Sequence, residues 1–169
     1  MKTITLIDGY NIIHSSRFLK KLLKEDVRKA QEELIRLVDS YSFLKKQKTF
    51  LVFDAYRNSF LNKEEKVSSY LRVILTGEKE TADSYIERFV SQNRSYYDYI
   101  YVVTSDYVEG MTVMDERVIL LSPRIFLKRL QTSKHNLENN YLSISPNSSL
   151  KFFHYLKKRV KEELKNNER

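Results

Sequence analysis

Four aspartates occupy positions from which they could act together on a phosphodiester: Asp8, Asp54, Asp83 and Asp106. Three of them lie at the ends of short runs of β-branched and aromatic residues, and Asp83 opens a helical pattern. Two carboxylates about 4 Å apart repel by about 4 kcal/mol at an effective dielectric constant near 20, so protons or a cation must offset the repulsion. Mg²⁺ and Mn²⁺ prefer such oxygen ligands. A metal held there predicts hydrolysis of nucleic acid, because it acidifies water and neutralises charge on a phosphodiester.

Several of the polar residues in this pattern also have a plainer interpretation. Asp8 is followed by glycine, and this dipeptide is a common turn signal. Asn11 is predicted to orient a water or a phosphate beside Asp8, or else to cap the helix that follows. Glu80 and Asp83 suit the first turn of a helix that Thr81 caps. The recurrence of strand-end aspartates favours the metal site over these alternatives taken one by one.

Five predicted strands would position the acids, beginning near residues 3, 48, 70, 99 and 117. Helix-sized segments separate strands along the chain, which predicts an α/β fold with a central parallel sheet and right-handed crossovers. In the strand order 3-2-1-4-5, Asp8, Asp54 and Asp106 would lie at three neighbouring strand ends, the edge where α/β proteins bind ligands. Residues 56–66 are polar and predict an exposed loop beside that crevice.

Helical spacing of apolar residues predicts the layers that cover this sheet. Segments 12–24 and 26–41 predict one long helix or two short ones, and segment 84–91 predicts another. Ser122 and Pro123 predict the cap and the first residue of a helix that ends near residue 131.

The charge of the chain is polarised toward its C-terminal part. Residues 124–169 hold eleven Lys or Arg against four Glu, out of a net charge of +8 for the whole chain. We therefore divide the chain into a domain over residues 1–131, a loop or linker over 132–149, and a basic amphipathic helix over 150–169 that packs on the domain or extends from it. A basic segment of this kind favours a polyanionic partner, although a solvated lysine-rich helix is the simpler alternative.

Several classes of protein are disfavoured by what the sequence lacks. There is no Walker-type GxxxxGK[ST], and three glycines leave no GxGxxG for a dinucleotide cofactor. Zero cysteines exclude disulfides, thiolate catalysis and sulfur-bound zinc. No stretch approaches the roughly 20 apolar residues of a membrane span, and no secretory signal is visible. We expect a cytoplasmic protein without a membrane partner.

Four short motifs, in their order and spacing, resemble those of the YacP-like NYN-domain proteins of Gram-positive bacteria. These are PIN-like endoribonucleases, some of which associate with the ribosome and cut messenger RNA during translation. The resemblance covers residues 1–131 well and the basic C-terminal segment in character only. The motifs are Asp8-Gly9-Tyr10-Asn11, Val52-Phe53-Asp54-Ala55, Glu80-Thr81-Ala82-Asp83 and Thr104-Ser105-Asp106.

The resemblance implies a Rossmann-like PIN fold, a divalent metal (Mg²⁺ or Mn²⁺) and single-stranded RNA as substrate. It implies that Asp8, Asp83 and Asp106 bind the metal. Asn11 and Asp54 would complete the catalytic site, with Glu80 and Ser105 in support. The loop after Asp54, which reads Tyr56-Arg57-Asn58-Ser59-Phe60, departs from the family, so the resemblance itself assigns no substrate contact to it.

RNA binding is predicted for basic residues on two segments, and the ribosome is the expected partner that presents the mRNA. One segment is the polar loop after Asp54. The other is the C-terminal helix, which resembles the basic C-terminal region of the family. The predicted RNA-binding residues are Arg57, Lys151, Lys157, Lys158, Arg159 and Lys161.

Two other functions fit part of the pattern. A non-catalytic RNA- or ribosome-binding module of the same fold would use the basic residues and leave the acids without a reaction. A metal-dependent phosphatase for small phosphoesters would use the acids and leave the basic segment without a role. Aspartate substitutions separate the first alternative from the nuclease, and deletion of residues 150–169 separates the second.

Overall fold

The computed structural model describes residues 1–54, 62–105 and 116–140, with side chains described to residue 132. Runs of β-branched and apolar residues form strands, and amphipathic segments between them form helices. The elements in chain order are β1 (Thr3–Asp8), α1 (Gly9–Ser15), α2 (Arg17–Glu25), α3 (Val27–Lys45), β2 (Lys48–Phe53), β3 (Lys63–Lys66), β4 (Leu71–Leu75), α4 (Ala82–Asn93), β5 (Tyr99–Val103), β6 (Val118–Leu121) and α5 (Pro123–Asn140).

These strands form one six-stranded sheet in the order β3-β4-β2-β1-β5-β6. β1 is central and pairs in parallel with β2 and β5, and the pairs β2–β4 and β5–β6 are also parallel. The predicted α/β class and the predicted order of the five parallel strands are confirmed. Because these strands are parallel, their carboxyl ends all meet at one edge of the sheet.

The sixth strand, β3, was not predicted. The assignment of residues 56–66 to an exposed loop is wrong for residues 63–66, which pair antiparallel with β4 from Lys63 opposite Leu75 to Lys66 opposite Arg72. The strand reads Lys-Glu-Glu-Lys and carries no apolar residue, so its sequence gives no period-two hydrophobic signal. Charged residues are typical of an edge strand, where they discourage pairing with other chains.

Three helices fill the segment between β1 and β2, where one long helix or two short ones were predicted. Ser16 separates α1 from α2 and caps α2, its side chain accepting a hydrogen bond from the Leu19 backbone N–H at 3.3 Å. Asp26 separates α2 from α3 and caps α3 in the same way, accepting from the Arg28 N–H at 2.8 Å. The polar capping residues therefore divide this segment into three helices, although the helical spacing of its apolar residues does not show where one helix ends and the next begins.

The sheet is covered on both faces. Side chains alternate along β1, so Ile7 packs with α1, α2, α3 and α5 on one face, whereas Ile4 and Leu6 pack with α4 on the other. All three side chains are fully buried. A parallel strand buried on both faces reads as a continuous apolar run, which is why β1 is the most recognisable strand in the sequence.

Helix α5 begins as predicted and ends later than predicted. Pro123 is its first residue, and the Ser122 hydroxyl accepts a hydrogen bond from the Ile125 N–H at 3.4 Å. The helix continues through Asn140, so the loop expected over 132–149 is wrong for residues 132–140. The remainder of that loop and the predicted basic helix lie outside the described residues. Within the described part of the chain, no helix is long and apolar enough to cross a membrane.

Candidate active site at the carboxyl edge of the sheet

Asp8 is the last residue of β1 and also the N-cap of α1. The residue is only 6% exposed. Oδ1 accepts a hydrogen bond from the Asn11 backbone N–H at 2.9 Å, and Oδ2 accepts one from Asn11 Nδ2 at 3.0 Å. The strand thus passes directly into the helix, so the turn interpretation of the Asp-Gly pair is wrong. The capping interpretation of Asn11 is wrong as well, because Asp8 is the cap.

Asn11 joins the ends of two neighbouring strands. Its Nδ2 also donates to the Thr104 hydroxyl at 3.0 Å, and its Oδ1 accepts a hydrogen bond from the Ser105 hydroxyl. Thr104 and Ser105 directly follow β5, whose last residue Val103 pairs with Ile7 of β1. One amide side chain therefore sets the position of the Asp8 carboxylate against the segment that leads into position 106.

A close approach between α1 and β2 depends on Gly9. A Cβ atom at this position would lie 2.3 Å from Cε1 of Phe53, well inside van der Waals contact. The Phe53 ring is 1% exposed and is packed edge-on by the Tyr10 ring, with centroids 5.5 Å apart, so it has little room to move. Glycine lets the first turn of α1 sit against the end of β2, which keeps Asp8 near the strand that precedes Asp54.

Asp54 fastens the start of α4 to the end of β2. Its Oδ1 accepts a hydrogen bond from the Ala82 backbone N–H at 2.6 Å. Thr81 caps the helix by accepting from the Ser84 N–H at 3.1 Å, which confirms the predicted cap. Asp83 lies in the first turn of α4, half-buried, with its Oδ1 atom enclosed by protein. Asp54 and the cap together set the position of Asp83.

Glu80 is engaged in an ion pair on the outer side of this helix start. Its carboxylate accepts two hydrogen bonds from the Arg88 guanidinium, at 2.7 and 2.9 Å, and a third from the Asn62 side chain. Asn62 in turn accepts from the Gly77 N–H at 2.7 Å. The hydrogen bonds from Arg88 lower the pKa of Glu80 below its ordinary value. These contacts brace α4 against the segment before β3, and the supporting role of Glu80 in the catalytic site stays a prediction.

Three contributors to this site were not predicted from sequence: Asn62, Arg88 and Phe53. Asn62 and Glu80 are separated by 18 residues in the chain, and no motif around either residue indicates that they form a hydrogen bond. Arg88 lies two helical turns beyond Glu80, a spacing from which an ion pair could have been proposed. Phe53 lies within a predicted strand and differs from other core residues only in facing Gly9.

The donor set suits a hard divalent cation in kind, because every predicted ligand is a carboxylate. Among residues 1–54, 62–105 and 116–132, no three acidic or histidine side chains lie together as a metal-binding group. The predicted set includes Asp106, which falls outside the described residues, as do Arg57 and the predicted RNA-binding residues of the C-terminal helix. The structure brings Asp8, Asn11 and Ser105 together and holds Asp83 by way of Asp54. The metal assignment stays a prediction.

The sheet order, together with aspartates at the ends of β1 and β2, defines an α/β protein with a mostly parallel sheet and a polar site at its carboxyl edge. More narrowly, the chain belongs to the YacP-like NYN domain family, whose sequence profile matches residues 5–169. The family predicted from the four motifs is thereby confirmed.

Relatives in Bacillus subtilis match most of the chain. The protein YacP of strain 168 is 30% identical over 142 residues, which make up 84% of this chain and 83% of that protein. A crystal structure of Rae1 (YacP) aligns with a TM-score of 0.69 and 26% identity over 98% of this chain and 94% of that one. A mutant of Rae1 aligns with a TM-score of 0.66 and 30% identity over 81% of this chain and 80% of that one.

Proposed function

We propose that this protein is a divalent-metal-dependent endoribonuclease that cuts single-stranded mRNA in the cytoplasm, in association with the translating ribosome. Membership of a family with a nuclease fold supports hydrolysis of a phosphodiester in general. The observation that carries the finer proposal is the Asp8–Asn11–Thr104 network. It holds a buried carboxylate at the junction of two parallel strands, at the edge where α/β proteins act on their ligands.

Asp8, Asp83 and Asp106 would hold Mg²⁺ or Mn²⁺, because their oxygen donors match the preference of these ions. When bound, the ion supplies acidified water for attack on phosphorus and neutralises charge on the phosphodiester.

The residues of the chain itself orient and stabilise the acids. Two N–H donors from Asn11 stabilise the negative charge of Asp8 and leave it one orientation. The hydrogen bond from Ala82 to Asp54 keeps the start of α4, and with it Asp83, at the end of β2. The positive end of the α4 dipole also favours a phosphate on this side.

The polyanionic substrate is supported by charge. The chain carries a net charge of +8, with most of the excess after residue 123. Basic side chains neutralise phosphates along a nucleic-acid backbone, and a substrate delivered by the ribosome would need only a short single-stranded segment at the site. We assign backbone contacts to Arg57, Lys151, Lys157, Lys158, Arg159 and Lys161.

The test is cleavage of mRNA in a reconstituted translation system, with the cut ends mapped for the unmodified chain and for Asp8→Asn. We expect the unmodified chain to produce defined ends that Asp8→Asn abolishes while RNA binding survives. Asp98→Asn is the matched control. It makes the same change at an exposed aspartate whose Oδ2 accepts from the Lys2 N–H at 2.7 Å, at the opposite edge of the sheet.

Identical ends from the unmodified chain and Asp8→Asn would refute the nuclease proposal and favour a non-catalytic RNA- or ribosome-binding module. Full activity on small phosphoesters after deletion of residues 150–169, with no cut mRNA, would favour a phosphatase. Replacing Mg²⁺ with Ca²⁺ in a cleavage assay on ribosome-free RNA tests the metal separately, because the assay contains no ribosomes that the change of ion could disrupt.

A further inference from the structure

Helix α2 carries a row of four basic side chains that the proposed function has not used. Arg17, Lys20, Lys21 and Lys24 are all exposed, and we refer to them as the basic ridge. Their spacing of three, four and seven residues places them on one face of the helix. Leu19 is buried in the core on the other face. The core therefore anchors α2 and leaves the basic ridge outward.

The basic ridge is a concentration of like charge. Basic residues three and four apart on a helix repel each other, which disfavours the helix unless acids intervene. Glu25 is the one acid in α2, at its last position. Among the described residues, no ion pair includes a member of the basic ridge. Such a row lowers stability by itself, and a polyanion lying along it would offset the repulsion.

The topology places one end of the basic ridge toward the carboxyl edge of the sheet, the edge that holds the candidate active site. Helix α3 leads into the start of β2, so its own beginning lies toward the carboxyl edge of the sheet. The Gln31 side chain, in the second turn of α3, donates to the Tyr10 hydroxyl at 3.2 Å, and Tyr10 lies in the first turn of α1 beside Asp8. Only Asp26 separates α2 from α3, so Lys24 lies close to that edge.

An aromatic side chain stands beside the basic ridge. Phe18 is 57% exposed and lies one turn before Lys21 on the helix. An exposed aromatic ring next to a row of cations is the combination that proteins use for single strands, with bases stacking on the ring while phosphates contact the cations. A polar helix face needed only for solubility would not require an exposed phenylalanine.

We propose that α2 binds the single-stranded RNA substrate on its way to the active site, with the phosphate backbone along the basic ridge and a base stacked on Phe18. The proposal rests on the proposed function for the identity of the polyanion. It assigns to the nuclease body a substrate contact separate from the basic C-terminal segment.

The first test measures the affinity of full-length Asp8→Asn protein for oligouridylate as a function of KCl concentration. The ridge variant adds Lys20→Gln, Lys21→Gln and Lys24→Gln. The matched control adds Lys45→Gln, Lys48→Gln and Arg94→Gln instead, three exposed basic residues at the amino edge of the sheet. Each phosphate contact on a single strand contributes about −0.7 to the slope of log affinity against log salt, so the ridge variant should flatten the slope by about 2. The control should leave it unchanged.

A second arm separates stacking from charge. Phe18→Ala should weaken binding by about tenfold at every salt concentration without changing the slope, since loss of a stacked base removes no phosphate contact. Phe43→Ala is its control, because Phe43 is 52% exposed on α3 and packs against Tyr70 away from α2. Thermal unfolding of all variants verifies that α2 is intact.

Equal slopes for the ridge and control variants would overturn the proposal, and so would an absence of RNA binding by the parent chain, which would favour an acidic protein surface as the occupant. Failure of the nuclease proposal is visible separately. A chain that binds oligouridylate through the basic ridge but cuts no mRNA in the translation system would retain this inference and lose the enzymatic one.

Discussion

Two halves of the candidate site are held in different ways. In the β1–β5 half, hydrogen bonds of the Asn11 side chain join the two strand ends around a buried carboxylate, with Asp8, Thr104 and Ser105 as its partners. In the α4 half, Asp54 anchors the helix start through one backbone N–H, and Glu80 and Arg88 form an ion pair nearer the surface. The β1–β5 half orients the Asp8 carboxylate, and the α4 half positions the start of helix α4.

The difference has an energetic basis. Hydrogen bonds to a buried carboxylate are strong, and removing a donor leaves charge without compensation. An ion pair near the surface is screened by solvent and contributes little. Substitutions in the β1–β5 half should therefore reduce cleavage strongly and lower stability as well, whereas removal of the ion pair in the α4 half should change both only slightly. Asp83 is the exception in the α4 half, because we propose that its carboxylate binds the metal.

The largest effect expected is for that exception. Asp83→Asn should lower cleavage by at least about a hundredfold, because loss of a ligand should exceed the 10- to 100-fold effect of changing an outer-shell partner. Glu87→Gln, on an exposed residue one turn further along α4, is the matched control. Initial cleavage rates at saturating Mg²⁺ provide the measurement. A change of similar size in both variants would mean that α4, rather than the Asp83 carboxylate, is what cleavage requires.

Asn11→Ala should come next, with a reduction in cleavage of about 10- to 100-fold at nearly unchanged RNA affinity. The substitution removes the side-chain donor to Asp8 and the link to Thr104, so the carboxylate loses its fixed orientation. Gln31→Ala removes a comparable amide from Tyr10 without touching Asp8 and should leave the rate near that of the unmodified chain. If Asn11→Ala cleaves normally, the β1–β5 half does not act as an orienting device.

Gly9→Ala should destabilise the fold by about 1–3 kcal/mol, the usual cost of overpacking a core. The added Cβ would meet the Phe53 ring, which Tyr10 and the core hold in place. Urea unfolding followed by circular dichroism measures the loss. Phe53→Leu in the same chain removes the clashing ring atoms, so the double variant should lose less stability than the two single changes together. If the losses of stability in the two single variants simply add in the double variant, the clash with Phe53 is not the reason that position 9 requires glycine.

The smallest effect expected is for the surface ion pair. Glu80→Gln should cost less than about 1 kcal/mol near neutral pH, because the pair is partly solvent-exposed. Arg88 holds the pKa of Glu80 below its value in the unfolded chain, so the contribution is present above the unfolded pKa and is lost as pH falls through the folded pKa. Unfolding free energies should therefore converge with the unmodified chain in acid.

Glu33→Gln is the control for that measurement, since Glu33 pairs with Arg36 at 2.7 Å on α3, which belongs to neither half of the site. If Glu80→Gln reduces cleavage more than Glu33→Gln does, Glu80 takes part in the reaction and is more than a structural support for α4.

The prediction of the sheet succeeded where burial leaves a mark in the sequence. Strands β1, β2, β4 and β5 have buried apolar runs, and the helix-sized segments between strands predict that they run parallel. Strand β3 has four charged residues and is stabilised by pairing with β4 alone, so no local pattern identifies it. The later end of α5 was missed because Thr132 and the polar residues after it resemble a loop in composition.

The sequence named several residues that the structure brings into contact, but it did not name their partners, and their roles in catalysis stay predictions. Asp8, Asn11, Asp54 and Ser105 could be selected because they follow strands or stand in motifs. Their contacts join residues as far apart as 93 and 94 positions, and such contacts leave no local pattern. The metal-binding role of Asp106 stays a prediction, as do the RNA contacts of the basic residues in the C-terminal helix.

The sequence by itself determined which residues end the strands, because β-branched runs must be buried and an aspartate cannot extend them without a partner. It also determined that Asp8 and Asp54 share one edge of the sheet, since β1 and β2 are joined by helices and run parallel. Only the tertiary structure decided that Asn11 bridges Asp8 and Thr104, that Gly9 faces Phe53, and that Asp54 secures α4. These contacts depend on strand register and helix placement, which the whole packed core sets rather than any one segment.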